Sequence, residues 1–128
     1  MAGTLTPTGD DLALDFLFDT IAVTRPTAWY VALHVGPNNN GTTNEIVGNG
    51  YARQAMTYTR SGNVVTNSTL ATFGPCTGSA WGTVTDVTVW DSLTAGRCLG
   101  QGTATASVTY NVGDSATLAI AAQQITLT

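Results

Sequence analysis

The sequence contains no lysine and few charged residues of any kind. Charged residues make up 9% of the chain, compared with about 25% in an average soluble protein. The four basic residues are all arginines, and the formal net charge is −4 at pH 7. Nucleic-acid binding requires clustered lysine or arginine side chains that displace counterions from phosphates. The composition therefore argues against nucleic acid as a partner.

The sequence also lacks a long hydrophobic run. The longest apolar stretch near the N-terminus, from Leu12 to Phe18, is interrupted by Asp15 and has no basic residue before it. A signal peptide has a basic flank, and a membrane-spanning helix needs about 20 apolar residues. We therefore expect a chain without a signal peptide or a membrane partner, made in a cytoplasm.

Residues that perform chemistry are scarce. His34 is the only histidine, and no HxH, HExxH or CxxC spacing occurs. Catalytic triads and zinc sites bring several such groups together. We therefore expect a non-enzymatic protein with no cofactor and no metal site. Because His34 alternates with Trp29, Val31, Leu33 and Val35, we expect it on the wetter face of a strand.

Cys76 and Cys98 are the only cysteines, and 21 residues separate them. If their strands lie side by side, they could form one disulfide, which would stabilise the fold by about 3 kcal/mol. In a reducing cytoplasm both would begin as free thiols. The sequence leaves open whether this possible disulfide forms.

The chain is rich in threonine, with 24 residues, and most of it shows the alternation typical of strands. Asn- and Gly-rich turn signals separate the alternating runs. These features predict a single all-β domain, an antiparallel β-sandwich or jelly roll, with a small barrel as the alternative. The predicted strands are 29–35, 51–60, 64–73, 83–90, 104–112 and two short strands near 118–120 and 125–127.

The N-terminal region differs from the rest. Residues 1–10 predict an extended arm, and the domain proper is expected to span residues 11–128. Asp10 or Asp11 is predicted to cap a short amphipathic helix over residues 11–22. Asp11, Asp15 and Asp19 are spaced four apart, so they predict an acidic stripe along one edge of that helix.

A series of short motifs runs along nearly the whole chain. They are Leu14-Asp15, Pro26, Tyr30-Val31-Ala32-Leu33, Glu45, Gly50-Tyr51-Ala52-Arg53-Gln54, Asn67-Ser68, Thr72-Phe73, Trp81-Gly82-Thr83-Val84-Thr85, Trp90-Asp91, Val112-Gly113-Asp114 and Ile125-Thr126-Leu127-Thr128. With these motifs the chain resembles a family of small structural proteins of tailed-bacteriophage virions, variously described as tail-fibre, decoration or structural proteins. The resemblance implies a location in the phage particle, after synthesis in the host cytoplasm.

Three functions are compatible with these observations. The first is capsid decoration, in which the protein cements the head shell by binding the major capsid protein. The second is a tail-fibre, tail-tip or head-fibre module that contacts the host surface. The third is a lectin-like domain, which rests on fold analogy. We expect decoration in particular.

Partners and contacts follow from the same interpretation. We expect the major capsid protein or other virion proteins as partners, together with assembly into a homo-oligomer, a dimer or a trimer. The predicted assembly contacts lie in the arm, the helix and an Asn-rich loop; they are Leu5, Asp11, Asp15, Asp19, Asn38, Asn39 and Asn40.

Overall fold

Residues 2–127 fold into one short helix and ten strands. A computed structural model describes residues 2–127, so Met1 and Thr128, the ends of the predicted arm and domain, lie outside the described residues. The elements are β1 (Ala2–Leu5), α1 (Pro7–Phe18), β2 (Trp29–His34), β3 (Gln54–Met56), β4 (Tyr58–Ser61), β5 (Val64–Asn67), β6 (Ala71–Phe73), β7 (Gly82–Trp90), β8 (Cys98–Tyr110), β9 (Ala116–Leu118) and β10 (Gln124–Thr126). The predicted single all-β domain is confirmed. Within residues 2–127, no helix is long and apolar enough to cross a membrane.

Eight of the strands form one strongly curled sheet. Their order is β3-β2-β7-β8-β1-β10-β5-β4, and β6 pairs with β9 in a separate two-stranded sheet. The two edge strands, β3 and β4, are separated in the chain by Thr57 alone. Because consecutive Cα atoms are only about 3.8 Å apart, the edges must lie close together, and the sheet is nearly closed.

The main core lies between the large sheet and the small one. β2 and β7 contribute aliphatic side chains, and the small sheet contributes Phe73, which is fully buried. The Tyr51 ring stacks on Phe73 with centroids 6.0 Å apart, and Trp81 meets Tyr51 edge-on at 5.9 Å. Two of the predicted strands are divided to build this arrangement: 51–60 gives the two edge strands β3 and β4, and 64–73 gives β5 and β6 in different sheets.

Residues 2–5, which belong to the predicted extended arm, are extended as β1 and pair within the large sheet. β1 lies between β8, to which it is antiparallel, and β10, to which it is parallel. Gly3 allows this close approach, since a Cβ there would lie 2.6 Å from the carbonyl oxygen of Gln101. The β1–β10 contact also means that the large sheet is not purely antiparallel.

The helix begins and ends four residues earlier than the predicted span 11–22. Thr6 is the N-cap, where its hydroxyl oxygen accepts from the Gly9 amide at 3.2 Å, and Pro7 occupies the first turn. A threonine followed by proline is a favoured helix start, because proline has no amide hydrogen to satisfy there. The Thr6 hydroxyl also donates to the Cys98 carbonyl, which fixes the start of the helix to β8.

Candidate functional site

Helix α1 has two apolar sides, and within residues 2–127 one of them contacts the sheet. Gly9, Leu12, Ala13 and Phe16 have the spacing of one helix face, which lies towards β1 and β8. The contact is made by the first turns, since Phe16 at the far end of this side is itself 73% exposed. Gly9 is buried there, and a Cβ at this position would overlap the carbonyl oxygen of Leu99. The helix backbone therefore lies directly against β8 on this side.

The other apolar side of α1 is exposed. Leu14, Leu17 and Phe18, spaced i, i+3 and i+4, form what we name the outer face of α1. Their side chains are 55%, 65% and 82% exposed. A helix that is apolar on opposite sides is normally covered on both, so the outer face has the character of a contact surface.

The predicted acidic residues lie beside this outer face. Asp11 and Asp15 are each three residues before an outer-face residue, Leu14 and Phe18, so they border it on the helix surface. Asp19 ends the helix, and its carboxylate accepts from the Ile21 amide at 3.1 Å. Among residues 2–127, none of these three aspartates forms an ion pair. Asp11 and Asp15 thus lie along one edge of α1 and border an apolar surface, whereas Asp19 is the C-cap and lies beyond the helix.

A cavity of about 320 Å³ opens on the inner side of the large sheet. Seven of the eight strands of that sheet contribute to its wall, as expected for a nearly closed sheet. We name it the arginine-rimmed cavity. It is lined by Leu5, Arg25, Trp29, Tyr58, Arg60, Val65, Val89, Leu99 and Ile125.

The two arginines of this cavity differ from the other two in the chain. Arg53 and Arg97 form ion pairs with Glu45 and Asp91. Arg25 and Arg60 are exposed and have no carboxylate partner within residues 2–127, although Arg60 Nη1 donates to the carbonyl of Gly62 at 2.7 Å. Two guanidinium groups without a carboxylate partner are therefore placed around one apolar cavity.

A second cavity, of about 540 Å³, lies beneath the inner side of α1. It is lined by helix residues and by Val23 and Pro26, and it shares Leu5, Arg25 and Leu99 with the arginine-rimmed cavity. The two cavities are therefore neighbours. Leu5, one of the predicted contact residues, lines both of them.

The Asn-rich loop lies elsewhere and is bonded to the sheet. The Asn38 amide and side-chain nitrogen donate to Asp86 Oδ2 at 3.1 and 2.7 Å, and Asn40 Oδ1 accepts from Gln101 Nε2 at 2.9 Å. Asn39 and Asn40 have positive φ values of 44° and 57°, a conformation that asparagine tolerates better than most residues. The three asparagines shape a fixed turn and line neither of the two cavities described above.

The two cysteines lie in different buried clusters. Cys76 is in the main core, whereas Cys98 packs with Ala32 and Trp90 on the other side of the large sheet. Both are buried free thiols in the structure, and the possible disulfide stays a prediction from the sequence. Burial raises the pKa of Cys98 to about 11, which makes its reactive thiolate form scarce at neutral pH.

The prediction that His34 faces the wetter side of its strand is wrong, because the loops cover that side and His34 is fully buried. Its Nδ1 donates to the carbonyl of Thr43 at 2.7 Å, and its Nε2 accepts from the Thr88 hydroxyl at 2.8 Å. Trp90 Nε1 donates to the same hydroxyl oxygen at 2.8 Å. Burial lowers the pKa of His34, so this chain of hydrogen bonds holds a neutral imidazole.

An ion pair between two of the motif residues, Arg53 and Glu45, lies next to this network. Arg53 Nε and Nη2 donate to the two carboxylate oxygens of Glu45, each at 2.8 Å, and Nη1 donates to the carbonyls of Ser92 and Ala95. The Arg53 and Glu45 charges are thus fully engaged with groups of the same chain, which indicates a structural role. Within residues 2–127, no group of three or more His, Cys, Asp or Glu side chains is placed to hold a metal ion.

Comparison with known proteins agrees with this picture of a structural protein. The family model described as Podophage GP4 fiber I protein gp80 matches residues 6–128, almost the whole chain. No curated protein matches the sequence. A fibre protein of this kind is part of the virion and is made in the host cytoplasm, so the predicted location is confirmed. The chain therefore belongs to the Podophage GP4 fiber I protein gp80 family, a family of tailed-phage virion structural proteins.

Proposed function

We propose that the protein is a non-enzymatic subunit of a fibre on the phage particle, where it associates with further copies of itself and with other virion proteins. The observation that carries this proposal is the match of residues 6–128 to a phage fibre family. The exposed outer face of α1 supports it, because such a surface needs a neighbouring molecule.

This proposal favours the fibre function over the expected capsid decoration. From the sequence, decoration is favoured by the small size of the chain, its lack of a long fibrous repeat and its predicted extended N-terminal arm. A short chain is nevertheless compatible with a fibre when each copy is one subunit of a larger assembly. The family description supports the fibre alternative. The lectin-like alternative stays a prediction from the sequence.

Contact with the host surface is the second part of the proposed function. Binding residues commonly lie on loops that a rigid scaffold holds in place. The loop of Asn39 and Asn40 is exposed and is bonded to the sheet through Asn38 and Asp86. We propose this loop as the surface directed at the host, with α1 directed at the virion assembly.

Copy number per purified particle tests the proposed function. Quantitative mass spectrometry would measure this chain against the major capsid protein as the internal standard, and gold-labelled antibodies would locate it by electron microscopy. We expect the copy number to be a small multiple of the rotational symmetry of the tail or of a vertex. The gold label should then lie on the tail or at that vertex. Copies in a simple ratio to the capsid subunits, with label over the whole shell, would establish decoration instead.

A further inference from the structure

We propose that the outer face of α1 in one copy docks into the arginine-rimmed cavity of a neighbouring copy, so that the fibre subunits associate head to tail. The inference rests on the proposed function and specifies the contact through which copies associate. The molecule that occupies the cavity is a second copy of this chain, and three arguments support that choice.

The first observation is that two apolar surfaces of matching character lack a partner within the chain. Leu14, Leu17 and Phe18 project from a helix whose opposite side contacts β8 in its first turn, at Gly9. The cavity wall offers apolar and aromatic surface, including Trp29, Val65 and Ile125. Because the helix lies on β8 by its inner side, its outer face points away from its own sheet and is free to meet another copy.

The second observation is charge complementarity. Asp11 and Asp15 border the outer face and have no cationic partner within residues 2–127. Arg25 and Arg60 line the cavity and have no carboxylate partner there. The chain has only four basic residues. The two that have no carboxylate partner among residues 2–127 both line the arginine-rimmed cavity, which therefore has the charge that an acidic helix requires. Docking would pair these charges around an apolar centre, as in ordinary protein interfaces.

The third observation concerns symmetry. If two copies met outer face to outer face with antiparallel helices about a two-fold axis, the edges with Asp11 and Asp15 would lie on the same side of the interface, and like charges at an interface oppose association. A contact between two different surfaces avoids this repulsion. Such a heterologous contact closes into a ring or continues as a filament, and both outcomes suit a fibre.

The first test measures the mass of the purified full chain by sedimentation equilibrium over a range of concentrations. We expect the wild-type chain to associate, and F18S to associate at least tenfold more weakly. V47S is the matched control, because Val47 is 84% exposed and lies outside both surfaces. Circular dichroism shows that each variant is folded. A wild-type chain that stays monomeric, or an F18S variant that associates as well as V47S, would overturn the proposal.

The second test exchanges the charges. The double variant D11R/D15R has a basic helix beside its basic cavity, and R25D/R60D has an acidic cavity beside its acidic helix. We expect each variant alone to be monomeric, because its two surfaces repel each other. Mixed together, they are expected to associate, since each helix then meets a cavity of opposite charge. Association should weaken as salt is added.

The other possible outcomes of the charge-exchange experiment would show that the helix and the cavity bind different partners. If D11R/D15R abolishes association and R25D/R60D does not, the helix binds a different surface and the cavity is free for another ligand, which overturns the contact. A mixture that fails to associate, although both variants are folded, has the same consequence. The result is independent of the copy number and position on the particle, so failure of this contact is distinguishable from failure of the fibre function.

Discussion

The guanidinium carbon of Arg53 lies 3.8 Å from the centre of the Trp90 ring, so the cation stacks on the face of the indole. The same guanidinium donates two hydrogen bonds to the Glu45 carboxylate and is largely shielded from solvent, since the Arg53 side chain is 6% exposed. Glu45 ends the Asn-rich loop and Trp90 ends β7. This one side chain therefore ties the loop to the large sheet.

Removing Arg53 should destabilise the domain strongly. In R53A, Glu45 would be left without its cation, and breaking one partner of a buried pair costs about 3–5 kcal/mol of the free energy of unfolding. The stacking on Trp90 would be lost as well. Urea unfolding followed by tryptophan fluorescence measures the effect.

R97A is the matched control for that measurement. Arg97 also pairs with a carboxylate, Asp91, but its side chain is 35% exposed, so its removal should lower the free energy of unfolding by less than about 1 kcal/mol. Equal losses in R53A and R97A would contradict the structural role of the Arg53–Glu45 pair.

Stability should fall in mild acid because of His34. Burial lowers the pKa of His34 in the folded state below its usual value of about 6.5. When the pH lies between the pKa of His34 in the folded chain and its higher pKa in the unfolded chain, only the unfolded chain protonates His34. The free energy of unfolding is therefore highest above about pH 6.5 and decreases as the pH falls below that value. Thermal unfolding of the wild type and of H34Q between about pH 7 and pH 5 tests this. A wild-type curve as flat as that of H34Q in this window would contradict the assignment.

Both cysteines should be inaccessible to thiol reagents in the native protein. Cys76 and Cys98 are buried, and the pKa of Cys98 is raised to about 11 by burial. We expect almost no reaction with Ellman's reagent under native conditions, and the release of two thiols per chain in guanidinium chloride. If no thiol is released after denaturation in the absence of reductant, the pair is a disulfide and the structure is wrong on this point.

Gly9 should not tolerate alanine, although it lies in a helix. Replacing a helical glycine by alanine ordinarily stabilises by about 0.5–1 kcal/mol. A Cβ at Gly9 would overlap the Leu99 carbonyl, so we expect G9A to lower the free energy of unfolding by about 1–3 kcal/mol. T8A is the control, because Thr8 is exposed in the same turn; it should be neutral or slightly stabilising. A stabilised G9A would show that α1 lies farther from β8 than described.

The helix shows what the sequence could and could not predict. Its existence followed from the spacing of apolar residues between Leu12 and Phe18. The sequence predicts Asp10 or Asp11 as the cap, whereas the helix begins at Thr6-Pro7, which carries the stronger start signal. That Leu14 and Phe18 remain exposed could not be predicted, because apolar spacing does not tell which side meets the sheet.

Alternation in the sequence determined that this chain is an all-β protein, since side chains that point to opposite faces of a strand leave a period of two. The low charge and the absence of clustered histidines and cysteines determined that structural roles, not catalysis, should be expected. Only the tertiary structure decided which strands are neighbours. β3 and β4 are adjacent in the chain yet lie at opposite edges of the sheet, a relationship set by long-range pairing. The same pairing gathers Arg25 and Arg60, far apart in sequence, around one cavity, because a curled sheet brings distant strands together.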